Sequence, residues 1–126
     1  GCLEAIASGV GIARAAAGSL GENLSAQQVV DRARRGDPTA EAIVAEACGA
    51  LGQGIAILWE ILEPELIVLG GGLTGSWGFL GPLVLAAAER MSRSAPRIEL
   101  TRLGDDVGLL GTAALPSYFP KEWLPG

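Results

Sequence analysis

ELIVLGGGLTG, from Glu65 to Gly75, runs from an apolar segment straight into three glycines. Leu66 to Leu69 is a continuous apolar run, the mark of a strand covered on both faces. Gly70, Gly72 and Gly75 satisfy G-x-G-x-x-G by spacing, so the turn reads as a dinucleotide loop, another nucleotide-binding turn, or punctuation after a buried strand. A dinucleotide loop needs its third glycine within a helix packed on the strand, so that the helix N-terminus meets the pyrophosphate. Here the next helix is expected over Pro82 to Ser92, beyond a long loop carrying the bulky Trp77 and Phe79. Glu99 stands where a ribose carboxylate would be sought, but too little chain follows to complete the usual half-domain. The dinucleotide reading is therefore set aside. Two readings remain: glycines that only let the chain turn, and glycines whose bare backbone leaves room for a nucleotide.

Outward from that turn, the chain of 126 residues suits one compact domain or a piece of a larger one. With 49% hydrophobic residues and only 5% aromatic, the core must be built from Ala, Leu, Ile and Val, as in helices packed on parallel strands. The expected class is α/β. A net charge of -5 gives no electrostatic footprint for nucleic acid. The basic run Arg32 to Arg35 closes a helix, where it complements the dipole. Cys2 and Cys48 form no framework of paired bridges, which suits a reducing cytoplasm. No run is expected to approach the roughly 20 apolar residues of a membrane span.

Helix signals are clear. GCLEAIASGVGIARAAAG places Leu3, Ile6, Val10 and Ile12 on a helical face broken at Ser8-Gly9, which predicts two short helices with a bend. Ser25 with Gln28 makes a capping box, and Gly36 is the stop. Asp37-Pro38 caps a long helix that ends at Glu63-Pro64, and within it Gly49, Gly52 and Gly54 predict close approach of another element or a bend. Arg97 to Leu103 alternates as a second strand near a sheet edge. Asp105 and Asp106 supply an N-cap for the small-residue helix VGLLGTAAL, which is suited to lie close against a neighbour. The remaining segment, 116–126, with three prolines and Tyr118, Phe119 and Trp123, reads as a tail laid over the body.

GCLEAIASG, EPELIVLGGGL and LGDDVGLLGTAAL, in that order and with a long helix before the second, resemble the C-terminal portion of the ROK family of sugar kinases and sugar-responsive transcriptional repressors. The resemblance implies part of a ribonuclease-H-like, actin-like ATPase fold, mostly its second lobe, over residues 1–115. It likens Cys2 to the last cysteine of the family's zinc motif C-x-C-G-x-x-G-C-x-E, a structural site of three thiolates and an imidazole. The other ligands would lie upstream, since this sequence contains no histidine. Glu4 is likened to the carboxylate that closes the motif and accepts hydrogen bonds from sugar hydroxyls. Gly70, Gly71 and Gly72 are likened to the adenosine motif. Cys48, inside the long helix, reads as a plain buried cysteine.

The family's phosphate loop, its Asn-Asp pair with the catalytic base, and its E-x-G-H sugar motif have no match here, so no catalytic residue is expected in this segment and the segment alone is expected to be inactive. Two functions follow from the resemblance. One is the C-terminal lobe of a kinase moving the γ-phosphoryl of ATP, with magnesium, to a hexose such as glucose or an N-acetylated amino sugar. The other is the sugar-sensing effector domain of a repressor whose winged helix lies upstream. A cytoplasmic homodimer is expected, with no membrane and no nucleic acid bound through this segment.

Overall fold

The computed structural model describes residues 2–92, 97–103 and 107–118. Its first helices, α1 (Glu4–Ala7) and α2 (Gly9–Leu20), are separated by Ser8, whose extended backbone breaks the helix while its hydroxyl caps α2 by accepting from the Gly11 amide at 3.1 Å. The bend at Ser8-Gly9 is where the sequence places it. Helix α3 (Ala26–Arg34) carries the full capping box: Ser25 Oγ accepts from Gln28 N at 3.2 Å, and Gln28 Oε1 accepts from Ser25 N at 2.8 Å. Helix α4 (Pro38–Leu62) starts at Asp37, which accepts from the amides of Thr39 and Ala40, and ends where Glu63 turns left-handed at φ 45° ahead of Pro64. Every one of these ends is set by a residue that satisfies helix groups lacking intrahelical partners.

Arg32, in α3, ties the loop after α2 to the start of α4. Its guanidinium donates to Glu22 at 2.8 Å and to Asp37 at 2.7 Å. These two hydrogen bonds hold its pKa above the ordinary arginine value. The Ala40 amide first, and then Arg32, hold Asp37 below the usual carboxylate range. The basic run is thus spent within the fold: Arg34 reaches Asp31 at 3.5 Å and lies 5.5 Å above the Phe79 ring.

Helix α4 is the centre of the molecule, packed by α2, α3 and α5 (Trp77–Glu89), and its buried face runs from Ala40 through Val44 and Cys48 to Ile55 and Ala56. Contrary to the sequence expectation, this helix is long and apolar enough to cross a membrane by length and composition; its buried face instead makes it the core helix of this fold. Two of its three glycines are sites of close approach. A Cβ on Gly52 would sit 2.5 Å from the Val84 carbonyl oxygen and 2.6 Å from Ala87 Cβ, and one on Gly54 would meet Leu3 at 2.8 Å. Gly49 faces open space.

Strands β1 (Ile67–Leu69) and β2 (Ile98–Leu100) pair in parallel, with Ile67 opposite Ile98 and Leu69 opposite Leu100, so α5 is the crossover of a β-α-β unit. The expected α/β class holds. The expectation that β1 is covered on both faces does not: Ile67 and Leu69 pack against the core, but Val68 is 57% exposed, because no described element lies over that face. A continuous apolar run cannot reveal on its own whether a second layer is present. Helix α6 (Val107–Tyr118) begins after the strand pair, and residues 108–113 are exposed rather than pressed against a neighbour. It extends three residues into the segment read as a tail; Asp105, Asp106 and residues 119–126 lie outside the described residues.

Candidate functional site

The glycine turn is not free coil. Gly71 has φ +123°, a conformation that side-chain-bearing residues rarely adopt. Its carbonyl accepts from Thr74 N at 3.0 Å and from Thr74 Oγ1 at 2.8 Å. A 3-10 turn over Thr74–Ser76 then leads directly into α5 at Trp77, five residues before the helix start expected at Pro82. Pro82 therefore lies inside the helix, where its missing N–H gives up one helical bond. Trp77 stabilises this earlier start by lying against Gly81, where a Cβ would come within 2.8 Å of its ring. The loop between strand and helix is shorter than the sequence suggested, and Trp77 and Phe79 belong to the first turn of α5 rather than to that loop.

Beneath the turn lies a cavity of about 300 Å³. It is lined by Gly70 to Leu73 of the turn, by Ala7, Ser8 and Gly9 at the joint of α1 and α2, by Val44, Ala47, Cys48 and Leu51 of α4, and by Trp77, Leu80 and Val84 of α5. The walls are mostly apolar. The titratable side chain among them is the Cys48 thiol, which burial pushes up to about 11. At neutral pH it is a neutral, unreactive thiol, in agreement with the reading of a plain buried cysteine. Such a cavity can accept a flat, weakly polar group against bare backbone, and it contains no base for proton transfer.

The residues singled out in the sequence fall into two places. Gly70, Gly71 and Gly72 all line the cavity. Glu4 and Cys2 do not: both are exposed at the start of the chain. They are nevertheless close in construction, because Glu4 opens α1 and Ala7, three residues or about 4.5 Å along the helix axis, closes it at the cavity wall. Among the described residues no three potential metal ligands gather, and Cys2 is a free exposed thiol. Sequence reasoning missed Ser8, Thr74 and Ser76; their signal was a small hydroxyl residue beside each glycine.

The strand pair, the glycine turn at the strand end and the helix-lined cavity match a fragment of the actin-like ATPase fold seen in solved ROK kinases. The ROK hexokinase of Thermus thermophilus superposes with a TM-score of 0.80 at 34% identity, covering 90% of this chain and 40% of that one. A ROK family glucokinase from Streptomyces griseus, solved with glucose and AMPPNP, gives 0.67 at 27% identity, over 91% of this chain and 44% of that one.

The ROK family model matches residues 1–118, and the chain belongs to the ROK family. Its relatives include the bifunctional enzyme NanE/NanK of Brucella melitensis, 37% identical over 93% of this chain and 22% of that protein. The N-acetyl-D-glucosamine kinase of Pasteurella multocida is 36% identical over 90% of this chain and 38% of that protein. The chain thus spans well under half the length of these relatives.

Proposed function

We propose that this chain is the C-terminal lobe of an ATP-dependent hexose kinase. The observation that carries the reading is the glycine turn, held at a backbone angle that favours glycine at position 71 and lining a cavity that Ala7, the end of the helix beginning with Glu4, also lines. In this reading the bare backbone of Gly70 to Gly72 and the apolar floor take the adenosine of ATP, and magnesium accompanies the phosphates. Glu4, an acceptor for vicinal hydroxyls, holds the sugar one helical turn away. The sugar is glucose or an N-acetylated amino sugar, a choice supported by the names of the relatives.

Phosphoryl transfer depends on positioning and on charge stabilisation at the phosphates. In this reading the lobe contributes the nucleotide seat and the sugar acceptor, the base and phosphate loop come from the remainder of the protein, and the 126 residues by themselves are inactive.

The test is ADP formation by the complete protein across a panel of hexoses. Sugar-dependent turnover is expected, with Glu4→Ala raising the KM for sugar at least tenfold, the scale of a lost hydrogen bond to a charged group. ATP turnover indifferent to every sugar, or a Glu4→Ala enzyme with unchanged sugar KM, would contradict it.

A further inference from the structure

Three successive glycines give up more conformational freedom on ordering than any other residues would, so a glycine seat for a ligand must be anchored at both ends. On the strand side the anchor is the ladder with β2, closed by Thr101 N donating to the Leu69 carbonyl at 2.7 Å. On the helix side the described backbone bonds are local: Thr74 to Gly71, and Ser76 N to the Leu73 carbonyl at 2.9 Å. These fix the shape of the turn, while the packing of Leu73, Trp77 and Phe79 against the core sets where it lies.

A long-range side-chain hydrogen bond adds to that packing. Ser76, at the end of the 3-10 turn, is 2% exposed and is the buried polar residue of the described core. Its Oγ lies 3.1 Å from Nε2 of Gln27 and 3.2 Å from Oε1, so it accepts and donates across 49 residues of sequence. Gln27 is itself aimed by a second bond, from Nε2 to Asp31 one turn further along α3, at 3.0 Å. Three residues beyond Ser76, Phe79 lies beneath Arg34, also of α3. Helix α3 thus grips the turn and the first turn of α5 at two points, while its own start is fixed by the Ser25–Gln28 box.

We infer that Gln27 and Ser76 are a positioning pair for the nucleotide: α3, which does not line the cavity, sets the affinity of the glycine turn through this contact. The inference rests on the adenosine seat proposed above. Neither residue touches the cavity, so each acts through Gly70 to Gly72 and not by direct contact.

The experiment is a double-mutant cycle on the complete protein, with AMPPNP affinity and sugar affinity measured for wild type, Gln27→Ala, Ser76→Ala and the double variant. Each single change is expected to raise the Kd for AMPPNP about three- to tenfold, with the double variant no worse than the weaker single and sugar affinity within about twofold of wild type. Hydrogen exchange should quicken at residues 70–76 and stay slow in α3. Because Gln27 is exposed, its alanine variant reports on the pair even if Ser76→Ala folds poorly. AMPPNP binding unchanged in the single variants, or effects that simply add, would overturn the pair while leaving the nucleotide seat standing. A wild-type protein that does not bind AMPPNP would overturn the seat and the pair together.

Discussion

Helix α4 has two ends that the sequence writes in the same apolar letters and the structure treats differently. From Ala40 to Ala56 it is enclosed by α2, α3 and α5, and Ile55 is 2% exposed. Six residues later Ile61 is 72% exposed, with Ile57, Leu58 and Leu62 each about half exposed or more. Val68 on the open face of β1, and Leu109 and Leu110 on α6, are likewise exposed. Apolar patterning says where a residue prefers to be; only the presence of a covering element decides whether it gets there. The chain spans 22% to 44% of its relatives' lengths, and one half of its core is closed by its own helices while the other leaves apolar residues exposed.

Two isoleucines on one helix make the difference measurable. Ile55→Ala should cost about 3 kcal/mol of stability in chemical denaturation, the usual scale for a filled site emptied in a packed core. Gly52→Ala should cost about 2–3 kcal/mol by the opposite mechanism, overpacking, since the added methyl meets backbone atoms of α5 that cannot step aside without moving the helix. A tolerated Gly52→Ala would mean that the closed half is looser than its geometry says.

Cys48 sharpens the same boundary by pH. Its thiol ionises at about 11 in the folded chain and near 9.0 when exposed, so the folded state retains a proton that the unfolded state releases. Its contribution is fully present below pH 9 and is lost as pH rises towards about 11. Denaturation midpoints should therefore fall more steeply over that window in wild type than in Cys48→Ala. Equal slopes would mean that water reaches the cavity floor. The smallest effect belongs to the bare end: Ile61→Ala in the isolated chain should change stability by no more than about 0.5 kcal/mol.

What the sequence could and could not reveal follows from the range of the forces involved. The break at Ser8, the Ser25–Gln28 box, the Asp37-Pro38 start and the Glu63-Pro64 stop were legible because each is fixed by residues within four positions of one another. The start of α5 was not legible: Pro82 looks like a first helical residue, yet Trp77 against Gly81 and the buried Ser76 held by Gln27 extend the helix back to Trp77. The open face of β1 was hidden for the same reason, because cover is a property of distant chain. At the candidate site, the glycine turn could be read from the sequence, and the cavity it lines could not, since the other walls come from α1, α2, α4 and α5. The nearness of Glu4 to that cavity, through the single turn of α1, became visible only in three dimensions.

The central claim is that the turn at Gly70 to Gly72 is a nucleotide seat with a sugar acceptor one helical turn away. Hydrogen exchange on the complete protein, with AMPPNP and a hexose added separately and together, tests it most directly. Slowed exchange at residues 69–74 with AMPPNP, and around Glu4 with the sugar, is the predicted result. Protection by AMPPNP that leaves residues 69–74 unchanged would contradict it.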